Sequence, residues 1–268
     1  MSTPKRFHRI RAVLDRRQPD LTVLLENVQV PRNLAAILRS LDAVGGLEAH
    51  AVWPGGRLQI SRPASGGNRK WVKVRKHASL GEALAHLKDQ GFRVLAAHPT
   101  ADAPSFREVD YLRPCALLLG NEDLGVTADA LSGADELVTI PMMGMGTSLN
   151  VSVAAALILF EAQRQRAAAG FYDTPRLDSE THARLLFEGV YPQLAKVCRS
   201  RGVAYPRLGP DGEGGATASP PAPPRSPGTP PRSPRWPLPR PESRRSGRSA
   251  RRASPPAERR SRRRGGRP

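Results

Sequence analysis

Residues 21–45, LTVLLENVQVPRNLAAILRSLDAVG, pass from a short apolar run into a helical repeat. The run at 22–28 has the length and aliphatic content of a strand. After it Leu34, Ile37, Leu38 and Leu41 recur on one helical stripe, and Gly45 stands where a helix is expected to stop. Strand then amphipathic helix is one βα unit, and such units in series build a mostly parallel sheet. Apolar runs at 49–53, 71–75, 92–97, 116–120 and 137–141 supply further candidate strands. Between them Ser79 and Glu82 form a capping box ahead of a helix that ends before Gly91, and the last core helix, 151–169, stops at Gly170. The expected class is therefore α/β, a mostly parallel sheet with helices on both faces.

The two ends of the chain differ from this core. Residues 5–17 place Phe7, Ile10, Val13 and Leu14 at helical spacing among Arg6, Arg9, Arg11, Arg16 and Arg17, which predicts a basic amphipathic helix. Residues 179–199 carry Leu185, Leu186, Val190, Leu194 and Val197 in a helical pattern that Pro192 interrupts. From 209 to 268 the chain is Pro, Arg, Ser and Gly with few aliphatic residues, a composition that cannot bury enough apolar surface to offset chain entropy. Four regions follow: a basic helical extension (1–20), the α/β domain (21–175), a C-terminal helical extension (176–208) and a disordered tail (209–268).

The formal net charge is +18, of which the tail contributes about 11, so the remainder is basic in its own right. Such a surface attracts a polyanion, nucleic acid first. No apolar run reaches membrane-spanning length and the N-terminus lacks a secretory apolar stretch, so a soluble, cytoplasmic protein is expected. The two cysteines, Cys115 and Cys198, lie far apart with no His or Cys at ligand spacing, which indicates neither a disulfide framework nor a zinc site.

In an open α/β sheet, ligands bind where strands end, and three such junctions have unusual composition. The first joins Asn33 to Arg39, with Arg39 off the apolar stripe and the small Ala35 and Ala36 one turn before it. The second, LLLGNEDLGVT, clusters Gly120, Asn121, Glu122 and Asp123 at a strand exit. The third, IPMMGMGTSLNVSVA, puts Ser148 or Asn150 at the start of a helix. Taken singly, each allows a plain structural account: a helix cap with a solvated arginine, a turn with an acidic helix entry, and a weak GxG. Leu149 stands where a dinucleotide fingerprint would need its third glycine, and no phosphate loop or Ser-His-Asp order is present.

Together and in this order, the three segments make the chain resemble the SpoU or TrmH family of RNA ribose 2′-O-methyltransferases, within the SPOUT superfamily, over about residues 9–208. The resemblance implies a parallel α/β domain with a deep C-terminal trefoil knot, a homodimer, and S-adenosylmethionine as methyl donor. By motif position it implies Asn33, Arg39, Glu122, Ser148 and Asn150 as catalytic residues, and Ala97, Leu119, Gly120, Ile140, Met142 and Leu149 as cofactor contacts. With only about 20 residues before the first strand, the chain matches members that act on tRNA, at guanosine 18 of the D-loop. Arg9, Arg17, Arg69, Lys70, Lys88, Arg164 and Arg166 are candidate RNA contacts, and no metal is expected. Ribosomal RNA as substrate, or a catalytically silent RNA-binding protein of the same fold, are the alternatives.

Overall fold

The computed structural model describes residues 3–53 and 71–214; the candidate RNA contacts Arg69 and Lys70, and most of the 209–268 segment, lie outside the described residues. Among the described residues, six parallel strands form one sheet in the order β3-β2-β1-β5-β4-β6. They are β1 (Leu21–Glu26), β2 (Glu48–Val52), β3 (Lys73–His77), β4 (Arg93–Ala97), β5 (Cys115–Leu119) and β6 (Glu136–Val138). All six anticipated strands exist, with ends displaced by at most three residues. β1 stops at Glu26 because Asn27 turns into the left-handed region, φ 54°, a conformation asparagine tolerates. β6 stops at Val138 because Thr139 bonds instead to the segment leading to β5, donating to the Pro104 carbonyl at 3.0 Å and accepting from the Phe106 amide at 2.8 Å.

Alternation along the central strands sends side chains to two separate cores. Val23, Leu25, Leu117 and Leu119 pack under α2 (Pro31–Ala43) and α5 (Val151–Ala168). Leu24, Val94, Ala96, Ala116 and Leu118 pack under α3 (Leu80–Asp89) and the short α4 (Ala128–Gly133). Helices thus cover both faces, as an all-parallel sheet requires. Half of the anticipated capping box opens α3: Ser79 Oγ accepts from the Glu82 amide at 3.2 Å, while the Glu82 carboxylate reaches one residue further back and accepts from the Ala78 amide at 2.8 Å.

The terminal extensions fold against each other. α1 (Pro4–Leu14) buries Phe7, Ile10 and Leu14 against Leu186 and Val190 of α6 (Ser179–Val190), and α7 (Pro192–Arg201) begins at the proline that interrupts the pattern. The expected start of the tail at residue 209 needs correction. Tyr191 donates its hydroxyl to the Gly212 carbonyl at 2.8 Å, and Leu208 pairs with Gly214. Gly212, at φ 83°, lies so close to Phe7 that a Cβ would sit 2.4 Å from the ring. Residues 209–214 therefore pack on the folded part of the chain.

Two of the candidate RNA contacts are structural. Arg166 is fully buried near the end of α5, its guanidinium bonded to the Asp20 carboxylate at 2.6 Å, to the Tyr111 carbonyl at 2.9 Å and to Gln18 at 3.2 Å. Arg17 is likewise buried, paired with Asp42 at 2.7 Å and bonded to the Gly46 carbonyl at 2.8 Å. Neither presents a charge to a phosphate. Sequence spacing could not reveal this, because an arginine on a helix looks the same whether its head reaches solvent or a buried carboxylate.

At the β2–β3 edge two buried histidines stack, His50 Nδ1 lying 2.9 Å from His77 Nε2. Burial lowers the His50 pKa to about 4; Glu48 opposes the shift, and His77, His86 and Arg75 add to it.

Candidate active site

A cavity of about 490 Å³ opens at the carboxyl ends of β4, β5 and β6. Ala97, Leu119, Gly120, Ile140, Met142 and Leu149 all line it, together with Glu122, Ser148 and Asn150. Three loops distant in sequence meet there because β4 lies between β5 and β6 in the sheet. The volume falls within the ~300–1,000 Å³ usual for small-molecule sites.

The loop after β5 is tightly closed. Asn121 and Gly125 exchange both backbone hydrogen bonds at 2.9 Å, and the Asn121 side-chain oxygen accepts from the Asp123 and Leu124 amides. Its side-chain nitrogen donates to the Asn27 carbonyl at 2.9 Å, fastening this turn to the exit of β1. At Gly120 a Cβ would lie 2.2 Å from the Gly125 carbonyl oxygen, so only glycine fits the closure.

Glu122 ties this loop to α2. Its carboxylate accepts from the Gln29 and Val30 amides, each at 3.1 Å, and from the Asn33 side chain at 3.0 Å. Desolvation pushes the Glu122 carboxyl up, but the hydrogen bonds from Asn33 and the loop amides outweigh it and hold the pKa below the usual carboxylate range. An ionised carboxylate with three donors is a poor proton acceptor and a good clamp. Asn33 is not the N-cap of α2; it lies in the first turn, with Val30 at the cap position, and its side chain is free to bridge. Its oxygen accepts from Asn150 Nδ2 at 3.2 Å. Asn150 in turn caps α5, accepting from the Ser152 amide at 2.8 Å. One hydrogen-bonded chain, Glu122 to Asn33 to Asn150, thus links all three segments.

The other candidates stand apart from this chain. Ser148 is exposed in the cavity wall. Arg39 is exposed on α2, has no ion pair among the described residues, and does not line the cavity. Arg9 is exposed on α1. Lys88 pairs with Asp135 at 3.1 Å, and Arg164 is held by Glu161 at 2.7 Å. Sequence reasoning missed Asn27 and the clamping role of Asn121; an asparagine directly after a strand was the available signal. His98 and Pro99, also in the wall, follow β4 without a distinctive motif.

Fold and cavity together define a parallel α/β protein with a cavity lined by the loops that follow β4, β5 and β6, with the start of α2 tied beside it through Asn33. Residues 20–160 match the model of the SpoU rRNA methylase family, and residues 164–214 match that of the SpoU rRNA methylase C-terminal region. The chain belongs to the SpoU methylase family. It is 51% identical over 212 residues, covering 78% of this chain and 93% of the relative, to the tRNA (guanosine(18)-2′-O)-methyltransferase of Escherichia coli K12. Among solved structures, the Aquifex aeolicus TrmH/SpoU tRNA modifying enzyme is similar with a TM-score of 0.67 and 40% identity, over 71% of this chain and 97% of that one. The SpoU methyltransferase AviRb of Streptomyces viridochromogenes, in complex with the cofactor AdoMet, is similar with a TM-score of 0.52 and 27% identity, over 57% of this chain and 62% of that one. Among the described residues no helix is long and apolar enough to cross a membrane, and no group of three or more His, Cys, Asp or Glu could hold a metal ion.

Proposed function

We propose that the protein transfers a methyl group from S-adenosylmethionine to a tRNA ribose, the 2′-hydroxyl of guanosine 18. The observation that carries this is the Glu122–Asn33–Asn150 chain beside a cavity of cofactor size, together with 51% identity to a relative named for that reaction. The cavity suits the cofactor: apolar walls from Leu119, Ile140 and Leu149 accept a flat ring, and the closure at Gly120 leaves backbone groups at its edge. Ala97, Leu119, Gly120, Ile140, Met142 and Leu149 would hold it. When bound, it supplies an electrophilic methyl group on a sulfonium.

The chain's own residues then act by positioning and electrostatics. Glu122 fixes the loop before α2 and aims Asn33. Asn33 and Asn150 orient the ribose hydroxyl, and Ser148 contributes a hydroxyl at the same wall. Arg39, with its charge free in solvent, clamps the phosphate next to the target ribose and polarises the 2′-hydroxyl. A guanidinium suits that role better than taking the proton, because it stays protonated in proteins.

The wider reading includes a trefoil-knotted C-terminal part, a homodimer and work in the cytoplasm on tRNA. Support for the dimer comes from α5, where Val153, Leu157 and Phe160 form an apolar stripe 40–50% exposed. Arg39, outside the wall of its own chain's cavity, fits a site completed across such an interface. Arg9, Lys88 and Arg164 remain candidates for phosphate contact, the last two by exchanging an intramolecular partner for RNA.

The test is transfer of labelled methyl from S-adenosylmethionine to unmodified tRNA transcripts, with and without 2′-deoxyguanosine at position 18. Incorporation abolished by the deoxy substitution is expected. Transfer to ribosomal RNA alone, or RNA binding without transfer, would overturn the proposal.

A further inference from the structure

A second cleft, of about 530 Å³, is bounded by Lys73 at the start of β3, Arg184 and Glu188 on α6, Arg199 on α7 and Tyr205 beyond it. Three cations face one carboxylate. Glu188 Oε1 accepts from Arg199 at 2.9 Å and from the Tyr205 hydroxyl at 2.9 Å, while Arg184 stands 3.7 Å away. The Tyr205 ring stacks on Phe187 at 4.7 Å and 16° between planes, which fixes its hydroxyl and through it Arg199. Lys73 is exposed, makes no ion pair among the described residues, and has its backbone amide bonded to the Leu47 carbonyl at 3.1 Å. The cleft therefore holds about two uncompensated positive charges on a prearranged frame.

An edge strand often carries lysine simply to discourage pairing with other sheets. That accounts for Lys73 and Lys76 on β3, but not for arginines from two different helices converging on the same cleft. Nor does any catalytic duty reach it. Lys73 is at the amino end of β3, while the cavity opens at the carboxyl ends of β4 to β6. β3 stands three strand positions from β5, about 14 Å across the sheet, and the two ends of a five-residue strand are about 15 Å apart. A ligand that engages both sites must be a polymer with repeated negative charge.

We propose that this cleft, about 20 Å from the carboxyl end of β5, binds a backbone phosphate of the substrate RNA and so contributes to docking the body of the tRNA. The inference rests on the tRNA reading above. Lys73 and Arg184 supply the mobile charges, and Arg199, held by Glu188 and Tyr205, forms the floor.

The experiment measures tRNA affinity across a potassium chloride series for the full chain and for Lys73→Gln, Arg184→Gln and Lys73→Arg. Each glutamine variant is expected to raise Kd about three- to tenfold near 0.1 M salt and to flatten the slope of log K against log salt by about one. KM for tRNA should rise with it, while kcat at saturating tRNA stays unchanged and Lys73→Arg restores the affinity. Unchanged Kd and slope in both glutamine variants would overturn the proposal. So would weakened binding of inorganic phosphate by Lys73→Gln with tRNA affinity intact, since the cleft would then serve a small anion. A wild-type chain that methylates no tRNA yet shows the slope change would overturn the assigned reaction and leave the cleft standing.

Discussion

Replacing Glu122 by glutamine tests whether the bridge between the three loops is mechanical or chemical. The carboxylate uses both oxygens: Oε1 takes the Val30 amide and Asn33, and Oε2 takes the Gln29 amide. In Glu122→Gln one oxygen becomes an NH₂ group. If the remaining oxygen keeps Asn33 and Val30, the new donor faces the Gln29 amide, and that amide loses its partner. An unsatisfied donor costs about 1–3 kcal/mol, and because Gln29 is exposed water recovers part of this, so a loss of about 1–2 kcal/mol is expected. The charge matters too. The Glu122 pKa is depressed on folding, so its stabilisation is present above the ordinary carboxylate pKa and fades as pH falls through the lower folded value; the glutamine variant should lack that acid-dependent part. With Asn33 released from its anchor, kcat at saturating cofactor and tRNA should fall about tenfold or more. Urea unfolding at pH 7 and pH 4, with single-turnover methyl transfer, reads both effects. A variant within about 0.5 kcal/mol of wild type and within about twofold in turnover would refute the assignment of Glu122 as the clamp.

Arg39→Ala should leave stability within about 0.5 kcal/mol, since the side chain is exposed and unpaired among the described residues, yet lower methyl transfer by about 100-fold or more; near-normal turnover would remove Arg39 from the site. Arg166→Leu should do the reverse, destabilising the fold by about 3–5 kcal/mol in chemical denaturation because Asp20 and several carbonyls lose a buried partner. Loss of RNA affinity without loss of stability would restore Arg166 as a phosphate contact. For His50 the folded pKa of about 4 lies below the unfolded 6.5, so the unfolded state binds the extra proton between these values and stability must fall as pH drops through that window. The difference is worth about 3 kcal/mol at most. Urea midpoints measured from pH 7 to pH 4 should show this decline in wild type and a flatter profile in His50→Gln.

The strands and main helices were legible because their signals are local. Alternating βα periodicity fixes six parallel strands whatever their order, and Gly170, Pro192 and the Ser79–Glu82 pair mark helix boundaries through backbone constraints that act within a few residues. The short helix α4 escaped notice, since six residues are too few to display a period. The start of the tail at 209 differs from the structure for another reason. Residues 209–214 have a tail-like composition, but Phe7, two hundred residues earlier, supplies a surface that fits the glycine at 212.

Among the site residues the same division holds. The chemical types Asn, Glu, Ser and Asn at strand exits could be singled out from the sequence, whereas the bond from Glu122 to Asn33 spans 89 residues and that from Asn150 to Asn33 spans 117. Charge shows the limit most clearly. Arg17, Arg164 and Arg166 read alike as basic residues near helix ends, yet Arg17 and Arg166 are buried pins and Arg164 is two-thirds exposed.

By itself, then, the sequence determined the βα order, the helix stops and the residue types at three strand exits, because hydrophobic period and backbone restriction are properties of neighbouring residues. Only the tertiary structure decided which exits meet around one cavity, which arginines keep their charge in solvent, and that Lys73 shares a cleft with α6 and α7. Those outcomes depend on strand order and on the partners that packing brings within hydrogen-bond reach.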